Sequence, residues 1–238
     1  FAHIQNYIAA RAELEILEDR ALIALQGPAA AAVLSRFDPR AGDMKFMTAD
    51  TFRIGGASCF VTRSGYTGED GYEISVAAGD AEGLVRLLND EPEVMLAGLG
   101  SRDSLRLEAG LCLYGADIDV STTPIEAGLD RFVRTDKKFV GSDVLKNHRE
   151  SGVQRKLVGF TLPGRSAPRA GYTLSHGGEA VGAVTSGSYS PTLDTSIGMG
   201  YVLGRYVESG TALDLDIRGR TVPVTVTELP FYTRPRRP

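Results

Sequence analysis

Cysteine and histidine are scarce in this chain. Cys59 and Cys112 stand far apart and alone, so neither a disulfide framework nor a zinc-ligand spacing is present. Three scattered histidines, His3, His148 and His176, argue against a histidine-based metal site. No apolar run approaches the ~20 residues that a membrane-spanning helix needs, and no signal peptide is visible. Positive charge is not in excess either. Lys and Arg number 26 against 30 Asp and Glu, and the net charge of −4 argues against a general binder of nucleic acid or anionic membranes. The basic tail Arg234-Pro-Arg-Arg-Pro238 is too short to reverse that balance. What remains is a soluble protein of a reducing compartment.

What the chain does have is enough length for a sizeable core. Its 238 residues, 24% charged and 42% hydrophobic, fit one large or two ordinary globular domains. It opens at Phe1, without a methionine and already inside a helical pattern, and so reads as a fragment.

The stretch Arg63-Ser-Gly-Tyr-Thr-Gly-Glu-Asp-Gly-Tyr-Glu-Ile-Ser-Val76 organises the rest. Gly65, Gly68 and Gly71 recur every third residue, allowing positive φ and close backbone approach in a tight connection. Ala57–Arg63 before it and Tyr72–Val76 after it alternate in period two, as strands do. Tyr72, Ile74 and Val76 then share one face, while Glu73 and Ser75 point to the other. A solvated Glu73 on a surface hairpin and a fixed carboxylate lining a pocket both fit this pattern. Periodicity alone does not choose between them.

Taken in order, Phe1–Arg11 reads as a helix with Ile4, Ile8 and Ala9 at helical spacing. Glu13–Glu18 and Arg20–Gln26 read as short strands, and Gly27-Pro28 turns the chain into a helix over Ala29–Ser35. Phe46–Ile54 is a further strand, and Asp80–Asn89 a helix with Leu84, Leu87 and Leu88 on its apolar stripe. Leu99–Gly110 is predicted helical, capped by Ser101 or Asp103, with Arg102 and Arg106 on one face. Thr123, Pro124 and Glu126 have the makings of another helix start. A short helix over Ser142–Glu150 ends at Ser151-Gly152, where the domain boundary is placed.

Beyond that point the texture changes. Short strands at Lys156–Leu162, Glu179–Thr185, Ser196–Leu203, Ala212–Ile217 and Thr221–Glu228 are separated by turns rich in Gly, Pro or Ser. His176-Gly-Gly178 and Arg218-Gly219 are hairpin turns. The expected fold class is therefore α+β: a mixed helix-and-strand domain over 1–151, then a small all-β barrel or sandwich over 152–238.

Five stretches together resemble the T-protein of the glycine cleavage system, the tetrahydrofolate-dependent aminomethyltransferase family. They are Ala24-Leu-Gln-Gly-Pro28, Gly65-Tyr-Thr-Gly-Glu-Asp-Gly-Tyr-Glu-Ile74, Arg102 through Gly115, Asp117-Ile-Asp-Val-Ser-Thr-Thr-Pro124, and Val184-Thr-Ser-Gly187 with Ile197-Gly-Met-Gly-Tyr201. The resemblance implies a folate-binding domain, incomplete here, followed by a C-terminal β-barrel. It also implies that the chain is the C-terminal two-thirds or so of a longer protein.

Several residue roles follow from that resemblance. Glu73 is similar to the carboxylate that holds the pterin, whose adjacent ring N–H and exocyclic amine one carboxylate can accept together. Arg102 resembles the folate-contacting arginine, whose fork grips a ligand oxygen. Arg106 is expected to be structural, and Tyr66 either stacks on an aromatic ring or belongs to the core. Members often end in Pro-Phe-Val with a folate-touching tyrosine a few residues on. Here Pro230-Phe231 is followed directly by Tyr232, the candidate for that contact. The family's catalytic aspartate corresponds to a position upstream of Phe1, so this chain alone is expected to be inactive.

The reaction implied is transfer of an aminomethyl group from the lipoyl arm of the H-protein to tetrahydrofolate. Ammonia leaves, methylenetetrahydrofolate forms, and the dihydrolipoyl arm is released. It calls for no metal and implies no nucleic-acid or membrane partner. The implied location is cytoplasmic in a bacterium or the mitochondrial matrix in a eukaryote. Two relatives compete with this reading. One is the folate-binding domain of a sarcosine- or dimethylglycine-oxidising enzyme. The other is a non-catalytic folate-binding protein of iron–sulfur assembly, whose Lys-Gly-Cys-Tyr-x-Gly-Gln-Glu motif is replaced here by Lys138-Phe-Val-Gly-Ser-Asp143, without cysteine.

Overall fold

A computed structural model describes residues 1–8 and 10–234. Ala9 of the expected first helix and the tail residues 235–238 lie outside the described residues. Contacts within the chain form two compact units, Phe1–Gly65 with Glu69–Leu96, and Tyr66–Gly68 with the chain from Ala97 on. No helix among the described residues is long and apolar enough to cross a membrane.

The first unit is built on a four-stranded antiparallel sheet in the order β1-β4-β3-β2. Its strands are β1 (Arg20–Gln26), β2 (Ala49–Ile54), β3 (Ala57–Thr62) and β4 (Gly71–Ala77). Gly55 and Gly56, both with positive φ, close the β2–β3 hairpin in two residues, matching the twist of the flanking strands. Period-two alternation turns Phe52, Cys59, Val61, Tyr72, Ile74 and Val76 into one buried cluster. Helices α2 (Ala30–Ser35) and α4 (Ala81–Asn89) contribute Val33, Leu34, Leu84 and Leu88 to it, and α3 (Arg40–Asp43) contributes Ala41. Each large side chain buried this way stabilises the unit by about 1.5–3 kcal/mol. The buried Tyr72 hydroxyl donates to the Ala41 carbonyl at 2.7 Å, so its polar tip costs little.

Helix α1 (Ala2–Ile8) matches the first expected helix, yet none of its residues is buried. The strand expected over Glu13–Glu18 does not form. Ile16 and Leu17 are more than half exposed there, and alternation without a strand to pair with does not make a strand.

The second unit carries α5 (Leu99–Glu108), α6 (Ser142–Ser151) and six strands closed into an antiparallel barrel. These are β5 (Arg155–Leu162), β6 (Thr173–His176), β7 (Glu179–Ser190), β8 (Thr195–Leu203), β9 (Ala212–Ile217) and β10 (Arg220–Thr227), in the order β10-β5-β8-β7-β6-β9. The fold is thus α+β, and of barrel or sandwich it is the barrel. Gly177-Gly178 and Arg218-Gly219 have positive φ throughout and make the β6–β7 and β9–β10 turns, as the sequence suggested. Strand β6 was not anticipated. Only four residues long, it closes the barrel by pairing with both β7 and β9.

Two helix-start expectations fail in this unit. Gly98, not Ser101 or Asp103, occupies the N-cap of α5, and it offers no side-chain cap. Ser101 donates back to the Gly98 carbonyl, and Asp103 is engaged by Arg106. The Thr123 backbone N–H and hydroxyl both donate to the Glu126 carboxylate, a capping-box arrangement, but no helix follows. Gly128, at φ +70, ends the turn after a single round.

Candidate functional site

Glu73 is placed by its strand. It sits at the middle of β4, opposite Ala24 on β1 and Thr62 on β3. Tyr72 and Ile74 are completely buried on the other face, so Glu73 turns away from the core and is half-buried. The Ser64 hydroxyl donates to Glu73 Oε2 at 2.7 Å and lies 2.7 Å from the Thr62 hydroxyl. Among the described residues Oε1 accepts no hydrogen bond. The result is a carboxylate with one oxygen fixed and the other uncommitted.

The loop after Arg63 is pinned at both ends. Arg63 donates twice to the Asp70 carboxylate, at 3.0 and 2.7 Å, and also to the carbonyls of Gly42 and Met44. The Gln26 side-chain amide donates to the carbonyls of Ser64 and Tyr72. Of the three glycines only Gly68 has a positive φ, +75. A Cβ on Gly65 or Gly71 would instead run into the Gln26 side chain, and on Gly71 into the Leu25 backbone carbonyl as well.

In the second unit α5 presents Arg102 at the surface, with its guanidinium 4.9 Å from the centre of the Tyr66 ring. The Tyr66 hydroxyl donates to the Cys112 carbonyl, and burial pushes its ionisation above the ordinary tyrosine range. Both residues line a cavity of about 740 Å³, together with Asp103, Arg106, Pro168, Arg169 and Ser186. The structure thus brings together two of the expected site residues, Tyr66 and Arg102. Glu73 belongs to the first unit. Tyr232 lies outside that cavity's lining, with its backbone N–H donating to the Glu108 carbonyl at 2.8 Å.

Arg106 is not solvated. Its side chain is 3% exposed and donates to Asp103, to Asp117 at 2.6 Å, to Ser186 at 2.9 Å and to the Leu111 carbonyl. Burial works against its charge, but the carboxylates of Asp103 and Asp117 outweigh that and hold its pKa above the ordinary arginine value. The Asp117 carboxylate, fully buried, also accepts from Thr185 and from the Leu113 backbone. Burial and the nearby Asp117 charge push the Cys112 thiol up to about 11, so it is neutral near pH 7 and a poor nucleophile. Reading the sequence singled out neither Asp117 nor Ser186 as a site residue. Their only trace was membership of the stretches that carry the resemblance.

A helix-backed antiparallel sheet and a closed six-stranded barrel define a chain of two family modules. Residues 1–137 match the family model described as GCVT N-terminal domain, and residues 155–233 match the glycine cleavage T-protein C-terminal barrel domain. An aminomethyltransferase of Thermosynechococcus vestitus is 43% identical over 99% of the chain, and one of Rubrobacter xylanophilus 46% identical over 92%. A mitochondrial aminomethyltransferase of Flaveria pringlei is 41% identical over 97%. The crystal structure of the glycine cleavage system aminomethyltransferase T from Bartonella henselae superposes with a TM-score of 0.89 at 39% identity, over 98% of the chain. The chain belongs to the glycine cleavage T-protein family of aminomethyltransferases. It spans 65%, 59% and 60% of the three relatives' lengths and 65% of the crystallised chain.

Proposed function

We propose that the protein is a tetrahydrofolate-dependent aminomethyltransferase of the glycine cleavage system, and that residues of this chain hold the folate. The observation that carries the reading is Glu73, a carboxylate held by Ser64 through one oxygen, with the other uncommitted. Such a group is suited to accept the adjacent N–H donors of a pterin. Arg102, supported on the Tyr66 ring, supplies a cation for an oxygen of the ligand, and the Tyr66 ring supplies an aromatic edge to the cavity. Tyr232 is proposed as a further folate contact. The boundary near residue 152 is proposed to separate the folate-binding portion from the barrel.

In the proposed reaction, tetrahydrofolate attacks the aminomethyl carbon carried on the lipoyl arm of the H-protein. Ammonia leaves, methylenetetrahydrofolate forms, and the sulfur of the arm departs as dihydrolipoyl thiol. The contribution of Glu73 and Arg102 is orientation, which lowers the barrier by holding the attacking nitrogens in line before reaction. Proton movement at the reacting atoms is assigned to neither of these two residues. The named relatives are all aminomethyltransferases, which favours this reading over the oxidase-domain and iron–sulfur-assembly alternatives.

The test is Glu73→Gln in the full-length protein, with tetrahydrofolate binding followed by titration. The amide puts an N–H where the pterin needs an acceptor, at a cost of roughly 1–3 kcal/mol. Binding should weaken about tenfold or more while the far-ultraviolet spectrum stays unchanged. Unaltered affinity in a folded variant would reduce Glu73 to a surface residue.

A further inference from the structure

The Tyr66–Arg102 pair rests on a buried framework, of which Arg106, Thr185 and Ser186 also line the cavity while Asp117 does not. The Tyr66 hydroxyl is anchored on the Cys112 carbonyl, at the centre of the loop that follows α5. That loop is neither helix nor strand, and backbone bonds bracket it, the Leu111 N–H donating to the Arg106 carbonyl at 2.9 Å and the Asp117 N–H to the Leu113 carbonyl at 2.8 Å. The two peptide groups that flank Cys112 are also tied to one ion pair. The Leu111 carbonyl accepts from Arg106 Nη1 at 3.2 Å, and the Leu113 N–H donates to Asp117 Oδ2 at 2.9 Å. Asp117 Oδ2 also accepts from Arg106 Nη1 at 2.6 Å, which closes the ring of contacts around Cys112.

The ion pair is fixed in turn by the barrel. Thr185 on β7 donates to Asp117 Oδ1 at 2.5 Å, and Arg106 Nη2 donates to Ser186 on the same strand at 2.9 Å. Tyr201 on β8 donates to the Asp117 backbone carbonyl at 2.8 Å. Every polar atom of the pair is engaged, and both side chains are almost wholly shielded from water. A buried, fully bonded pair of this kind has one low-energy arrangement, and the backbone it grips shares that precision.

We infer that Asp117 is a positioning residue for the folate site. Acting through Arg106 and the Leu111–Leu113 loop, it fixes the Tyr66 ring and with it the Arg102 guanidinium. It touches no ligand itself. The inference rests on the proposal that Tyr66 and Arg102 contact folate, but the geometry it asserts exists without ligand.

The experiment uses the full-length protein carrying Asp117→Asn, Tyr66→Phe, or both. Asparagine keeps the shape and an acceptor for one donor, but removes the buried charge facing Arg106 and leaves it only the half-exposed Asp103 carboxylate. Hydrogen exchange is read first, without ligand. Faster exchange confined to residues 66–68 and 111–113 in Asp117→Asn is the expected result. Uniform acceleration through the barrel strands would show a merely structural role and overturn the inference. Tetrahydrofolate binding is read second. Asp117→Asn should weaken it about tenfold in the presence of the tyrosine, and less than about threefold in the Tyr66→Phe background, whose ring has already lost its anchor. Equal losses in both backgrounds would overturn the inference. If Asp117→Asn does not fold, Thr185→Val, which removes one bond to the same carboxylate, takes its place with the same two readouts. Failure of Glu73→Gln to affect binding would count against the folate reading, while the ligand-free exchange pattern would still decide the role of Asp117.

Discussion

Cys112 shows how strongly its surroundings act on a single residue. Burial raises the pKa of its thiol, the Asp117 carboxylate raises it further, and the Arg106 cation only partly offsets them, so the pKa climbs from 9.0 to about 11. The folded state therefore holds this proton more tightly than the unfolded chain does. Its contribution to stability is complete below pH 9.0 and is lost as pH rises towards about 11. For a partly exposed group the loss is on the order of 1–2 kcal/mol. Urea unfolding at about pH 8 and about pH 10.5 should show a steeper decline for the native protein than for Cys112→Ala. Parallel declines would mean that the thiol ionises as freely in the folded protein as in the unfolded chain. At the same scale, Glu73 and Asp117 differ in how visible they were. The orientation of Glu73 follows from alternation along its own strand. Asp117 gains its meaning from Arg106, 11 residues away, and Thr185, 68 residues away, and no local pattern records such partners.

Among the elements, the glycine-rich connection into β4 was legible as a turn, but not why each glycine is there. A Cβ on Gly65 would lie 2.0 Å from Gln26 Oε1, the far end of a movable side chain. A Cβ on Gly71 would meet the same amide at 2.5 Å and also the Leu25 backbone carbonyl at 2.7 Å, which cannot swing away. Gly65→Ala should thus cost about 1–3 kcal/mol, mainly through the displaced Gln26 bonds, and Gly71→Ala more. Adding Gln26→Ala should leave Gly65→Ala with little further cost of its own, while Gly71→Ala keeps most of its penalty. Thermal unfolding of the single and double variants measures this directly, and equal behaviour at the two glycines would contradict it. Elsewhere, elements were legible where local pattern and pairing agree, as in β3, β4 and the two-residue hairpins of the barrel. They were missed or overcalled where pairing decides. Strand β6 is too short to announce itself and exists because β7 and β9 flank it. Residues 13–18 alternate well and have no strand to join.

At the level of the whole molecule, texture placed a boundary near Gly152, while compactness assigns α5 and α6 to the same unit as the barrel. The two divisions make different demands on stability. The barrel strands are contiguous in sequence and closed, so they present no unpaired edge of their own. Yet Ile197 and Met199, both completely buried, are covered by Leu107 of α5 together with Leu157, Leu229 and Phe231. Glu108 of the same helix accepts from Ser190 and Thr192 at the β7–β8 end. A piece starting at Gly152 would return those hydroxyls to water, which can replace the lost acceptor at little cost. The exposed apolar atoms have no such substitute, and uncovering Ile197 and Met199 costs about 1.5–3 kcal/mol for each side chain that becomes fully exposed. Apolar loss therefore decides the outcome. A piece from Gly152 on should fold with strand-rich circular dichroism, but melt several degrees below a piece from Ala97 on, given about 4–8 °C per kcal/mol for the shorter piece and less for the longer one. Leu107→Ala within the longer piece should account for much of that gap, at about 2–5 kcal/mol. Equal melting temperatures for the two pieces would show that α5 adds nothing to the barrel, and that the boundary near Gly152 is the physical one.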